Sequence, residues 1–484
     1  MKTGKQENVE TEAPSGSLFF YPWERQFERL ITPFEEFIHR QTTGGIALMA
    51  TTLVALALAN SPLSEAYSRI LHTPLSFSLG FLAFGKDLAH WINEGVMVFF
   101  FLLVGCEIKR EIIAGELADI RAASLPIIAA AGGMLLPALI YHILNPAGDT
   151  AHGWGIPMAT DIAFCVGALV LLGKRVPAAL TLFLVSLAIV DDLGAVLVIA
   201  LFYTETIHLQ ALALGGAALA ALALFNLAGV RRLFLYGLMG FCLWMALLSA
   251  GIHATIAGVL LAFCLPARPR HDSPSFAARM KRLVGHFGES CQTGENLLKN
   301  TEQHSLLRAM MGEVRLAETP LQRVQNTLQI PVSLIVIPLF ALANAGIPIV
   351  PSKFGEVLAH GVTQGVLLGL VAGKFLGITG FTWLALKAGL GKLPGGIRLA
   401  HVAGAGLLGG IGFTMSIFVA ELSFPGHPEY LTTAKTAIIL ASLVSGFSGV
   451  GWLWGLSLVR SGKTRRVQRR FRNCRSIKGR ACTP

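Results

Sequence analysis

The chain has 484 residues, of which 53% are hydrophobic and only 14% charged. Soluble domains carry about 25% charged residues, so this composition excludes an ordinary soluble protein and points to a polytopic membrane protein. The net charge is +11, but the excess lies in loops and tails, where membrane topology accounts for it better than nucleic-acid binding does.

The first long apolar run begins near Gly44. Ahead of it, the segment from Trp23 to Arg40 spaces Phe27, Leu30, Ile31, Phe34 and Ile38 at helical intervals, with Glu and Arg between them. Within a cytoplasmic N-terminal segment, 1–42, this predicts an amphipathic helix on the membrane surface leading into the first span, and no cleavable signal is expected. A spanning helix needs about 20 apolar residues. Twelve segments qualify, over 43–60, 91–107, 122–143, 152–173, 176–203, 209–228, 232–249, 251–266, 328–347, 362–386, 399–420 and 434–459. The expected fold class is therefore all-α and polytopic, with twelve transmembrane helices between residues 43 and 459.

Basic residues set the direction. Lys109, Arg110, Arg121, Lys174, Arg175, Arg231, Arg232, Lys387, Lys392 and Arg398 fall in alternate loops, and the long 267–327 loop and the 460–484 tail are richer still. The other loops hold only Arg69, Lys86 and Lys353, with Lys435 opening the last span. By the positive-inside rule both termini are cytoplasmic. In the outer loop after the first span, Pro74-Leu-Ser-Phe-Ser-Leu-Gly80 alternates apolar and polar residues before Phe81-Leu-Ala-Phe84, which predicts a short outer β-hairpin. The seven cysteines show no CxxC spacing and read as free thiols.

Four charges stand in apolar spans: Asp161, Asp191, Asp192 and Lys374. A charge at the bilayer centre costs roughly 2.5–3.5 kcal/mol even on the lenient scale, so such residues mark an ion path or a buried pair. Asp191 and Asp192 are neighbours on one helix, about 100° apart, so one can face a cavity while the other meets a partner. Hard cations prefer oxygen ligands, and carboxylates here could exchange a proton for Na⁺ or Li⁺. Lys374, in Gly373-Lys374-Phe-Leu-Gly377, is the lone basic group at this depth, with Asp191 or Asp161 as its expected partner.

Asp161 follows Gly153-Trp-Gly155-Ile-Pro157-Met-Ala-Thr160, and the eleventh span carries Gly404, Gly406, Gly409, Gly410 and Gly412 before Phe413-Thr414-Met415. Glycine and proline within spans are breaking signals, tolerated where the freed backbone lines a cavity. Spans 3–5 and 10–12 run in opposite senses, each triplet with its interrupted helix second, which is the pattern of an inverted-topology repeat with spans 4 and 11 discontinuous. Glu107, Lys109, Arg110 and Glu111 read as a solvated cluster at the inner face, and Glu94 and His253 as ordinary hydrogen-bonded groups near outer span ends.

Ala159-Thr160-Asp161-Ile-Ala-Phe164 and Ala188-Ile-Val-Asp191-Asp192-Leu-Gly194 closely resemble the NhaA family of bacterial sodium/proton antiporters. Phe101-Leu-Leu-Val-Gly-Cys-Glu107-Ile-Lys-Arg110, Gly251-Ile-His253-Ala-Thr-Ile-Ala-Gly258, Pro338-Leu-Phe-Ala-Leu-Ala-Asn-Ala-Gly346 and Gly410-Ile-Gly-Phe-Thr-Met-Ser-Ile-Phe418 match in order as well. The resemblance implies a twelve-helix fold with spans 4 and 11 unwound and crossing. It implies Asp192 as the main Na⁺, Li⁺ and proton ligand with Asp191 beside it, Asp191 pairing with Lys374 in the proton-loaded state, and Thr160 and Asp161 balancing the crossed helix ends. It implies electrogenic, pH-controlled exchange in the inner membrane, serving pH homeostasis without an enzymatic activity or cofactor. It also implies a homodimer through the outer hairpin, 74–85.

Two features depart from the family pattern. The 267–327 loop is long, with Leu306, Leu307, Met310, Met311 and Val314 at amphipathic spacing, and Gln325 and Asn326 stand where an acidic, histidine-bearing pH-sensing segment is expected. The Arg-rich tail is suited to anionic lipid headgroups. A sodium-coupled solute symporter would share the broken helices and buried acids. An intramembrane aspartyl protease using Asp161 and Asp192 would need a Gly-x-Gly-Asp motif, which the chain lacks.

Overall fold

The computed structural model describes residues 41–79, 82–204, 208–269, 273–290, 300–348, 352 and 354–478. The amphipathic helix expected from Trp23 to Arg40 lies outside them. The first apolar run forms α1 (Gln41–Ala59), followed after a bend of 114° by the short α2 (Ser64–Leu71). Two antiparallel strands come next, β1 (Pro74–Leu79) and β2 (Leu82–Asp87), in register from Pro74 opposite Asp87 to Leu79 opposite Leu82. Trp91 Nε1 donates to the Leu75 carbonyl at 3.1 Å, tying this sheet to the next helical segment.

That segment opens with a short helical turn, Leu88–Trp91, and one wide π-type turn, Ile92–Val96, before α3 (Met97–Ala114). The following helices are α4 (Ile120–Leu144), the 3₁₀ stretch Asp149–Met158 with α5 (Ile162–Leu172), α6 (Ala178–Phe202), α7 (Leu209–Leu227), α8 (Leu233–Ala250) and α9 (Ile256–Cys264). The long loop folds into α10 (Ser273–Glu289) and α11 (Thr301–Ala317), which pack on each other. Leu306, Leu307 and Met310 are half-buried, while Met311 and Val314 remain exposed. The loop is closed at its base by Leu321 N donating to the Pro266 carbonyl at 3.2 Å.

Thr319 and Gln322 form a reciprocal cap that starts α12 (Pro320–Pro331), with Pro320 at the first helical position, where a missing N–H costs nothing. Gln325 is buried on this helix, and Asn326 Nδ2 donates to Glu318 Oε1 at 2.7 Å. A second wide turn, Val332–Val336, leads into α13 (Ile337–Asn344). Then follow α14 (Phe354–Ala359), α15 (Gly361–Leu368), a third wide turn, Gly369–Gly373, and α16 (Lys374–Lys387). The chain closes with α17 (Leu399–Leu408), α18 (Phe413–Ser423) and the 51-residue α19 (Pro428–Lys478).

Among the described residues, eight helices are long and apolar enough to cross a membrane, and ten if each of two bent pairs counts as one span. The two expected segments outside that set have local reasons to fall short. Over 91–107 the helix is widened at Ile92–Val96, and α3 then carries Glu107, Lys109, Arg110 and Glu111 in its second half. Over 251–266, Gly251 ends α8 in the left-handed conformation (φ +78), and α9 keeps only nine residues.

The interior divides into two main apolar clusters. The larger joins residues of α1, α3–α6, α9, α13 and α15–α19, including Leu48, Phe101, Leu125, Leu184, Phe340, Val402 and Phe418. The smaller, with Leu102, Leu222, Tyr236, Leu243 and Ala262, joins α3 to α7, α8 and α9. Close backbone approach marks both. A Cβ on Gly377 of α16 would stand 2.1 Å from the Gly132 carbonyl oxygen of α4, and one on Gly258 would stand 2.4 Å from the Val98 oxygen. No side chain fits at either place, so glycine is what lets these helix pairs meet backbone to backbone.

Candidate functional site

The site begins with the two interruptions. In the fourth span, Pro157 has no N–H for a helical ladder, and Ala159 and Asp161 are extended (ψ 146 and 101) between the 3₁₀ stretch and α5. In the eleventh, α17 stops at Leu408, and Gly409 to Gly412 carry the chain to α18 through a bend of 51°. Each break leaves helix-end groups without intrahelical partners, which is costly away from water. The two breaks meet and satisfy one another.

The carbonyls at the end of α17 are taken up by residues of the fourth span. Thr160 Oγ1 donates to the Gly409 oxygen at 2.9 Å, Cys165 Sγ to the Leu408 oxygen at 2.9 Å, and Asp161 N to the Ile411 oxygen at 2.7 Å. Ser416 Oγ closes the other side by donating to the Ile156 oxygen at 2.9 Å. Asp161 then serves two helix starts at once. Its Oδ1 accepts from Phe164 N at 3.1 Å in the first turn of α5, while its Oδ2 accepts from Thr414 N at 3.1 Å and from the Thr414 hydroxyl in the first turn of α18. A carboxylate facing two helix N-termini is placed where both dipoles favour negative charge.

Asp191 and Asp192 lie on α6, which is continuous through this region. Lys374 is the first residue of α16, directly after the wide turn Gly369–Gly373. Its Nζ donates to Asp191 Oδ2 at 2.6 Å, and both side chains are wholly buried. Of the two carboxylates open to Lys374 in the sequence, the geometry selects Asp191; Asp161 is already committed to the crossing. Asp192 projects from another face of α6 and, among the described residues, makes no ion pair. Among the described residues, its Oδ1 and that of Asp191 have no hydrogen-bond partner, although both residues are buried. Oxygen atoms in that condition are expensive and can take a proton or a small cation.

Two outlying groups also acquire definite places. Glu94 Oε2 accepts from Ala254 N at 2.7 Å, Glu94 Oε1 meets His253 Nδ1 at 3.2 Å, and His253 Nε2 meets the Tyr203 carbonyl at 2.8 Å. These contacts tie the wide turn before α3 to the end of α6 and the start of α9. Near the other end, Lys109 Nζ donates to the Phe263 and Leu265 carbonyls, at 2.6 and 2.5 Å, and so caps α9. Thr414, Cys165 and Ser416 were not singled out as site residues from the sequence. The usable signal was position: each stands within a turn of a break, where hydroxyls and thiols are the side chains that can replace missing helical partners.

The chain matches the family described as Na+/H+ antiporter 1 over residues 35–453. It is 47% identical to the Na(+)/H(+) antiporter NhaA 1 of Saccharophagus degradans, an alignment covering 89% of this chain and 93% of that protein. Identity to the Na(+)/H(+) antiporter NhaA of Sulfurimonas denitrificans is 48%, over 90% of this chain and 98% of that protein. The corresponding protein of Acidithiobacillus ferrooxidans is 46% identical over 88% and 98%. With crossed breaks, a buried lysine–aspartate pair and a second buried carboxylate in one place, and with matches running through nearly all of its length, the chain belongs to the NhaA family of sodium/proton antiporters.

Proposed function

We propose that the protein extrudes Na⁺ or Li⁺ in exchange for protons by alternating access, with Asp192 as the carboxylate for which cation and proton compete. The observation that carries this reading is the contrast between two adjacent buried carboxylates: Asp191 is neutralised by Lys374 at 2.6 Å, while among the described residues Asp192 has no ion-pair partner, and each keeps an Oδ1 without a hydrogen bond. A cation entering beside Asp192 gains Asp191 as a second ligand once Lys374 withdraws. A proton arriving at Asp192 lets Lys374 return. Cation and proton thus exclude one another by charge, without a large rearrangement at the site. That step exchanges one proton at Asp192 for one cation; electrogenic exchange, with more protons entering than sodium ions leaving, needs a second proton, which Asp191 can take up in place of Lys374.

Thr160 and Asp161 belong to this site as its frame, holding the crossed breaks at the depth of the exchange carboxylates. The reading extends to twelve spans in a bacterial inner membrane with both termini cytoplasmic, spans 3–5 and 10–12 forming inverted repeats. The charge alternation of the loops supports it, as do the crossed second helices of the two triplets. The β1–β2 sheet is suited to pairing two protomers into a homodimer, and the basic residues of 460–484 to anionic lipid headgroups. The exchanged ions are substrates, and no resident cofactor enters the scheme.

Everted vesicles carrying Asp192→Asn test the central assignment. Added Na⁺ or Li⁺ is expected to dissipate a preformed proton gradient in the parent and to leave it intact in the variant. Substantial retained exchange overturns the assignment. A requirement for an organic solute in the parent would favour a sodium-coupled symporter instead.

A further inference from the structure

The Lys374 ammonium is buried, so if it leaves Asp191 it needs another acceptor, because an uncompensated charge away from water is strongly destabilising. The fourth turn of α4 offers one. Pro137 lies inside α4 and has no N–H, so the carbonyl of Gly133, four residues earlier, lacks its helical donor. Gly133 is also where the lysine passes: a Cβ built on it would stand 3.7 Å from Lys374 Cδ and 2.9 Å from Ile378 Cγ1. Pro137 itself packs on the residue before the lysine, with its Cα 2.9 Å from where a Cβ on Gly373 would be. A carbonyl freed by proline and the stem of the buried lysine therefore share one contact between α4 and α16.

We propose that the Gly133 carbonyl is the second seat of the Lys374 ammonium, occupied when the cation takes Asp191, and that Pro137 is the positioning residue that keeps this seat free. The inference rests on the exchange reading of Asp191 and Asp192 given above. In the state described here the ammonium is on Asp191. Cation entry moves it along its own flexible stem to a neutral, strongly accepting oxygen, still protonated and still hydrogen-bonded. The lysine then needs neither to lose its proton nor to remain bare while Na⁺ is bound. Replacing Pro137 by a residue with an N–H returns the helical donor to Gly133 and fills the seat.

Pro137→Ala is expected to raise the KM for Na⁺ in everted vesicles about tenfold, the worth of one charge-assisted hydrogen bond, with the maximal rate less affected. Pro126→Ala, which repairs a different proline gap in the same helix, is expected to leave KM unchanged. Thermal stability of the purified protein supplies a readout independent of transport. In the parent, Pro137→Ala restores a helical hydrogen bond and is expected to hold or raise Tm. In an Asp191→Ala background, where position 191 no longer offers the lysine an acceptor, the same change is expected to lower Tm. The same sign of effect in both backgrounds, or an unchanged KM, overturns the second seat. If Asp192→Asn itself retains exchange, the underlying reading fails instead, whatever the proline variants do.

Discussion

Asp161 and Asp192 are the same residue type at the same burial, each 2% exposed, and their surroundings treat them in opposite ways. Asp161 sits at the start of a helix, between two chain breaks, and both its oxygens accept hydrogen bonds from Phe164 and Thr414. Asp192 sits within an unbroken helix whose backbone groups are already paired, and its Oδ1 is left without a partner. The broken region therefore consumes its carboxylate in holding structure, while the intact region leaves one unspent. Burial alone does not separate an acid tied into the structure from one left without a partner; what the neighbouring backbone still needs does.

The largest expected effect removes the unspent carboxylate. Asp192→Asn should abolish Na⁺-dependent proton movement while changing stability by less than about 1 kcal/mol, since no hydrogen bond to the rest of the protein is lost; a collapse of Tm would place Asp192 with Asp161 as structural. Next is Lys374→Ala, which strands Asp191 beside a second buried acid and should cost about 3–5 kcal/mol. Adding Asp191→Asn should recover much of that loss in a melting experiment, and failure to do so would break the pairing. Asp161→Asn turns an acceptor-only group into one whose amide opposes a donor at Thr414, and should cost about 1–3 kcal/mol. Its signature is a lowered Tm with Na⁺ KM moved less than by any change at Asp191; the reverse pattern would make Asp161 a cation ligand.

The smallest effect concerns the β1–β2 sheet. Burial disfavours the charge on Asp87, but the hydrogen bonds from His72 and from the backbone of His90, with the nearby imidazole charges, outweigh it and hold the carboxyl below its ordinary value. A depressed carboxyl contributes stability above its unfolded value and loses it as pH falls through the folded one. Asp87→Asn should therefore lower Tm slightly at neutral pH, with the difference vanishing below the ordinary carboxylate range. A difference that persists in acid would mean the charge is not the cause.

Much of the fold was legible because hydrocarbon selects for apolar length, and ten of the twelve expected segments are helices or bent helix pairs of spanning size. The two remaining segments, 91–107 and 251–266, were harder. Their first residues are held by Glu94 meeting His253 and Ala254, a contact between residues 159 or 160 positions apart that no local pattern records. The charged members of the site announced themselves by their cost, and the glycine and proline clusters located both breaks. The partner of Lys374 did not follow from spacing, because Asp161 and Asp191 lay at similar depth and only the prior engagement of Asp161 by Thr414 separates them. The wide turn before Lys374 was equally silent, since Gly-Leu-Val-Ala-Gly reads as ordinary helix.

The contact of Gly132 with Gly377 has a consequence for motion. Two helices joined backbone to backbone at this pair, with Phe381 packed on Gly132 and Ile378 on Gly133, cannot slide or roll past one another without breaking that seam. If the protein works by the alternating access proposed above, α4 and α16 must travel as one body. Lys374 and the Gly133 carbonyl keep the same frame of reference throughout, and the moving boundary has to run elsewhere. In the smaller apolar cluster, α3 and α9 also contribute to the larger one, whereas α7 and α8 do not, so α7 and α8 are the natural other side of that boundary. A crosslink within the α4–α16 pair would then be harmless to transport, and one between that pair and α7 or α8 would stop it.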